Sequence, residues 1–312
     1  MLLGAGAVAV WAQAPTMKDA AGIEYVLIQP GSMQVGVFQP ACPDPNAPAA
    51  GRGGGAPGGS GGAGRGGAAF GGPGGSGPAR GGSGRGGGGG RAPADPRTAW
   101  TDQDYRTCQE LVQRDSSPGF TVKIMKPFYI GKYEVTQAQW KKVMGSNPSV
   151  FQGSKVKDDA DQHPVDSVTW ADTQAFLKKL NAMEKSKLYR LPTEFEWEYA
   201  GRAGEPGQTG WTEIRQVAVE QLGAQKGTTQ PVGSKKANAW GLYDMLGNVW
   251  EWVSDYYNEK LFADPVPQKT GTVHVLKGGG FVSDVKNVIY ATHAGGPGDG
   301  WDVGFRVVRD VK

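Results

Sequence analysis

Gly241-Leu-Tyr-Asp-Met-Leu-Gly-Asn-Val-Trp-Glu-Trp252 packs four large apolar side chains, two carboxylates, an amide and a turn glycine into twelve residues. Such density predicts a buried loop. Leu242, Leu246, Trp250 and Trp252 read as core anchors, and Gly247 supplies the backbone freedom that a sharp reversal needs. Asp244 and Glu251 then face that turn, and a buried carboxylate requires hydrogen-bond donors or a cation. Spacing alone leaves two readings open: the carboxylates hold a hard cation together with loop carbonyls, or Glu251 caps loop amides.

Around this loop the chain divides sharply by composition. Of its 51 glycines, 24 lie between Gly51 and Gly90, so nearly half belong to one low-complexity tract. Subtracting that tract leaves enough chain for one sizeable core. The tract, read as a disordered insertion over residues 43–98, carries Arg-Gly-Gly steps at Arg52, Arg65, Arg80 and Arg85, a further arginine at Arg91, and no acid between Asp44 and Asp95. Such steps resemble segments that bind single-stranded nucleic acid, but those interleave stacking aromatics and this one has only Phe70. A solvated loop is therefore the favoured reading, and nucleic acid is not an expected partner. The net charge of +3 is too small to imply a partner class.

Residues 1–14 form an apolar run closing on Ala12-Gln13-Ala14, the pattern of an export signal. The run is too short to span a bilayer, and no later segment approaches that length, so a secreted, periplasmic or envelope location is expected. Cys42 and Cys108 flank the Gly-rich tract and in an oxidising compartment would pair; the alternative is two free thiols. Three scattered histidines, His163, His274 and His293, offer no metal cluster.

Residues 22–36 alternate about Pro30-Gly31 and predict a hairpin. Phe120 to Ile130 alternates as a strand. Gln137 to Met144 is read as a helix capped by Thr136, and Trp170 to Met183 as an amphipathic helix. Thr193 and Glu196 form a capping box for a third. Beyond Gly201 only short strands and loops are expected. The fold class is α+β, loop-rich, with two or three helices on short antiparallel strands.

Several phrases occur together and in order: Phe128-Tyr-Ile-Gly-Lys-Tyr-Glu-Val-Thr-Gln-Ala-Gln-Trp140, Pro164-Val-Asp-Ser-Val-Thr-Trp170, Tyr189-Arg-Leu-Pro-Thr-Glu-Phe-Glu-Trp-Glu-Tyr-Ala200, the opening Gly241–Trp252 stretch, Lys277-Gly-Gly-Gly-Phe281 and Gly304-Phe-Arg306. Together they resemble the formylglycine-generating-enzyme family, the sulfatase-modifying factor domain. The resemblance implies a C-type-lectin-like fold in a single domain built from residues 22–42 and 108–312. It also implies a calcium held by Asp244, the carbonyls of Gly247 and Val249, and Glu251.

The family's oxidase chemistry uses copper(I) on two thiolates, which a soft cation requires. Ser283 and Val288 stand near the places where the resemblance puts that pair, and no cysteine follows Cys108. No copper and no catalytic residue are therefore expected. A branch using iron on three histidines is likewise unsupported. In binding members of the family the loop before Gly-Phe-Arg is the ligand surface. That loop here carries Asp284, Lys286, Asn287, Tyr290, His293, Asp299, Trp301 and Asp302, a polar and aromatic mix suited to recognition. The expected function is an exported, catalytically inactive binding or structural module for a protein or glycan at the cell surface. The alternatives are altered, non-copper enzyme chemistry or a self-assembling surface subunit.

Overall fold

The computed structural model describes residues 16–36, 42, 44–46, 100–116, 118–204, 213–220, 227–266, 268–284, 287–296 and 300–312. The signal-like segment and almost all of the 43–98 insertion lie outside the described residues, as do Lys286 and Asp299.

One sheet runs in the order β1 (Thr16–Lys18), β2 (Glu24–Ile28), β5 (Phe128–Gly131), β11 (Val308–Asp310) and β6 (Tyr189–Arg190), all antiparallel. A second is ordered β10 (Val303–Phe305), β7 (Trp250–Tyr256), β8 (His274–Lys277) and β9 (Ala294–Gly295), with β10 and β7 parallel and the other pairs antiparallel. β3 (Gly31–Val35) and β4 (Phe120–Ile124) form a separate two-stranded ribbon. The chain thus mixes helices with mainly antiparallel strands joined by long loops, as the sequence predicts.

The predicted hairpin does not form. β2 and β3 diverge at Pro30, the first into the main sheet and the second into the ribbon, because they serve different cores. Val26 and Ile28 pack with Phe128 and Trp197, whereas Val35 joins Leu261 and Phe262. The expected strand Phe120 to Ile130 is likewise two strands. Its alternation breaks at Met125, 76% exposed, and at Pro127, which has no amide to donate.

The helices follow their caps. Thr136, Thr169 and Thr193 each accept from the backbone amide three residues on, while Gln139, Asp172 and Glu196 return a bond to the cap amide. These boxes begin α2 (Gln137–Met144), α3 (Trp170–Met183) and α4 (Glu194–Arg202), satisfying amides a helix start leaves open. Trp140 of α2 stacks on Phe176 of α3 at 5.3 Å, and both meet Phe305 edge-on. Two elements escaped the periodicity reading: α5 (Ile214–Val217), a single turn, and α1 (Asp102–Ser116), a polar segment whose apolar positions are confined to Tyr105, Cys108, Leu111 and Val112.

α1 carries Cys108, buried and bonded to Cys42 with Cα atoms 5.9 Å apart across a sequence separation of 66. The expected pairing is present. Closing a loop of that size stabilises by roughly 4 kcal/mol in the chain-entropy model. Reduction should therefore lower the melting temperature by on the order of 10 °C, and intact mass should rise by two hydrogens with reductant. An unchanged melt would show that the bridge does not hold the fold.

Candidate functional site

The Gly241–Trp252 loop is built around a buried cation that belongs to the chain itself. Arg306 donates through Nε to Glu251 Oε2 at 2.7 Å and through Nη2 to Glu251 Oε1 at 2.6 Å. Its remaining donors reach the carbonyls of Gly131 (3.0 Å), Tyr243 (3.1 Å) and Asp244 (3.2 Å). Trp197 Nε1 also donates to Glu251 Oε2, at 2.7 Å. Glu251 is thus neither solvent-facing nor a cap for loop amides: it pairs bidentately with a guanidinium, the strongest geometry open to a carboxylate.

The turn is fixed from the other side by Glu134, which accepts from the Val249 amide at 3.0 Å and from Asn248 Nδ2 at 2.7 Å. Asn248 stands at φ 60° and also accepts from the Gln230 amide. Gly247, at φ 79°, has no room for a side chain, since a Cβ there would lie 2.2 Å from the Val219 carbonyl oxygen. Leu242, Leu246 and Trp252 are buried as expected, whereas Trp250 is only half-buried and packs beside Gly280.

Asp244, also at positive φ, receives the Gly233 amide on Oδ2 at 2.6 Å, and its buried Oδ1 has no hydrogen-bond partner. Burial is the main reason its carboxyl is pushed up to about 6, with Glu251 adding to the rise against the pull of Arg306. Burial, then Asp244 and Glu251, push Glu134 well above the usual carboxylate range. Three buried carboxylates thus share one guanidinium. Among the described residues no three acidic, histidine or cysteine side chains converge as a metal cluster. The orphaned Oδ1 beside an excess of negative charge nevertheless fits the expected calcium: Asp244 would be its free side-chain ligand and loop carbonyls would supply the rest. Glu251 retains only the second lone pair of Oε1 for such a role.

Copper does not fit. Ser283 is buried with its hydroxyl accepting the Gly280 amide at 2.9 Å, Val288 is wholly buried, and among the described residues no cysteine is free.

The loop expected to bind a ligand is not one exposed surface. His293 is 1% exposed, with Nδ1 2.7 Å from Glu194 Oε1 and Nε2 3.0 Å from the Asn258 carbonyl oxygen. It belongs to a buried ionic cluster with Lys277, which lies 3.4 Å from Glu194 and 3.3 Å from Glu198; Glu198 in turn pairs with Arg202. Burial opposes the Glu194 charge, but His293 and Lys277 prevail and hold its carboxyl below the usual value. Tyr290 is also buried, lining a small pocket with Asp244, Met245, Lys236 and Asn238. Both residues leave the expected surface because α4 draws them inward: its buried Glu194 takes His293 as a partner, and the Trp197 ring lies 6.4 Å from that of Tyr290. Asp284, Asn287 and Asp302 are half-buried, and Trp301 is 47% exposed. Glu134, Trp197 and Arg306 were missed as members of the site; their only signal was a place inside the quoted phrases.

Residues 94–311 match the sulfatase-modifying factor enzyme 1-like domain. The chaperone protein LppX of Paenibacillus barcinonensis is 33% identical over 239 residues, spanning 59% of this chain and 81% of that protein. A formylglycine-generating enzyme of Streptomyces coelicolor is 36% identical over 140 residues, 38% of this chain and 42% of the enzyme, so the chain matches less than half of that relative's length. Among solved structures, Treponema denticola variable protein 1 superposes with a TM-score of 0.57 at 27% identity, covering 62% of this chain and 87% of that one.

The raised Asp244 carboxyl sets a pH dependence. A carboxyl whose folded value exceeds its unfolded value binds protons more tightly in the native state, so its stabilisation is present below about pH 4 and lost as pH rises through about 6. In chelator, Asp244→Asn should remove this group's share, roughly 3 kcal/mol at pH 7, and flatten the fall in melting temperature between those values. A variant that melts lower than wild type at pH 7 in chelator would contradict the assignment.

Proposed function

The chain belongs to the sulfatase-modifying factor enzyme 1-like domain family, and we propose that within it this protein is a non-oxidising binding module working in the cell envelope or outside the cell. One observation carries the reading. Near the places where the resemblance puts the family's copper thiolates, Ser283 and Val288 offer a hydroxyl already bonded to a backbone amide and an aliphatic side chain. Neither can ligate copper(I). Cys42 and Cys108, the chain's two cysteines, are tied to each other.

Two further observations support an extracytoplasmic binding role. A disulfide persists in oxidising compartments, in keeping with the signal-like residues 1–14, and no helix among the described residues is long and apolar enough to cross a membrane. The LppX relative bears the name of a chaperone, a protein whose work is to bind another. For this chain the partner is accordingly a protein or glycan at the cell surface, met on the part of the 281–303 loop that stays accessible. Calcium is proposed as a structural ion at Asp244, supporting the loop from beneath and taking no part in chemistry.

Purified protein supplied with copper(I), oxygen and a cysteine-containing peptide should consume no oxygen above the copper-only control. Formylglycine in the peptide, read by mass, would overturn the proposal. A calcium ion bound only to the folded state should raise the melting temperature, with about 2.7 kcal/mol of stabilisation at a hundredfold excess over the dissociation constant. Asp244→Asn should abolish that rise; an equal rise in the variant would remove the ion from this site.

A further inference from the structure

Among the described residues, Trp301 is the one aromatic side chain of the large apolar residues left exposed. Its ring does not hang free. It lies 5.8 Å from Phe151 and 5.4 Å from Phe281, and those two rings meet edge to face at 4.9 Å. Phe151 and Phe281 form, with Val219, a small buried cluster separate from the main core. Each is anchored through its backbone: Asp166 accepts the amides of Val150 (2.6 Å) and Phe151 (3.3 Å), and the Phe281 amide donates to the Asn248 carbonyl at 2.8 Å. The indole is thus held on a rigid aromatic floor with part of its surface toward solvent. Such a platform has already lost the freedom that binding would otherwise cost.

Beside it stands Asp302, whose carbonyl accepts the Trp250 amide at 2.9 Å and whose carboxylate lies over Gly280, 3.2 Å from where a Cβ would be. Glycine there leaves the carboxylate room to sit. Asp302 is half-buried, and burial pushes its carboxyl up, yet among the described residues no cation pairs with it and no side chain donates to it. A partly desolvated carboxylate without a counter-charge is costly to keep. One residue along the chain from an exposed indole, it supplies with that ring the complement of a planar cation: the ring face attracts positive charge, and the carboxylate accepts from an N–H edge. A neutral sugar would satisfy the ring but not the charge. A lysine ammonium would satisfy the charge but not the planar face, which favours a guanidinium.

We infer that Trp301 and Asp302 form a recognition subsite for an arginine side chain of a protein partner, its guanidinium plane stacked on the indole and its edge bonded to the carboxylate. The inference rests on the binding-module reading and gives that module a ligand chemistry. The basis of selectivity is charge, so an uncharged side chain of the same shape is discriminated against.

Fluorescence anisotropy with a labelled Gly-Arg-Gly-Arg-Gly peptide and its citrulline counterpart tests this on the full chain. The arginine peptide should bind at least about tenfold more tightly, because citrulline keeps the shape and loses the charge. Trp301→Ala and Asp302→Asn should each weaken it by about fivefold, Trp301→Phe should recover most of the loss, and the variants should melt within a few degrees of wild type since both side chains are accessible. Equal affinity for the two peptides, no binding of either, or binding indifferent to Trp301→Ala would overturn the inference. Preferential binding of a neutral oligosaccharide that is lost in Trp301→Ala would overturn it too, leaving the face as a binding surface of other chemistry. None of these results bears on the oxygen-consumption assay, so failure of the arginine subsite and failure of the non-oxidising reading are read separately.

Discussion

The bidentate pair between Arg306 and Glu251 is the interaction on which the rest of the structure depends. The guanidinium is fully buried, and its donors reach the end of β5, the Tyr243–Asp244 turn and the first turn of β7. A buried ion pair is not by itself a source of stability, because desolvating both charges offsets their attraction. What it provides is position. Removing either partner would leave an uncompensated charge in the core at a cost of about 3–5 kcal/mol, so alternatives to this loop conformation are strongly disfavoured.

The pair sits beside a turn that is held from several directions. Below it, Glu134, Asn248 and Gly247 lock the turn through backbone and amide contacts with no space for substitution. Above it, Asn248 passes the constraint on through its carbonyl to Phe281, and Phe281 fixes the floor under Trp301. A rigid scaffold beneath a short exposed patch is the arrangement by which loops carry recognition. Ser283 and Val288 belong to the same scaffold, the first through its bond to the Gly280 amide and the second through its packing.

Much of the fold could be read from local signals. Two helices begin behind Thr136 and Thr193, the caps the sequence predicts, and a third, predicted from its apolar periodicity, begins behind Thr169, since a capping box is satisfied within four residues of chain. The hairpin about Pro30-Gly31 failed for the opposite reason: alternation identified both strands but carries no information on which strand each will pair with. α1 escaped because its apolar stripe is short, Tyr105, Cys108, Leu111 and Val112 in an otherwise polar segment, and one of the four is the cysteine of the disulfide. At the site, His293 and Tyr290 read as surface because polar and aromatic residues in a loop usually are, while the glutamates of α4 that draw His293 inward lie about a hundred residues earlier, at a sequence separation of 99.

The sequence by itself determined the family phrases, the helix starts, the partners of the disulfide and the absence of thiols from the C-terminal loop, because each is a matter of residue identity or of contacts a few positions apart. Only the tertiary structure decided which carboxylate of the Gly241–Trp252 loop is neutralised by Arg306 and which is left with an orphaned oxygen. It alone showed that Trp301, among the described candidates in its loop, is presented to solvent against an aromatic pair. Those outcomes depend on charges and rings brought together from distant segments, and burial, which sets the value of each contact, exists only once the chain has folded.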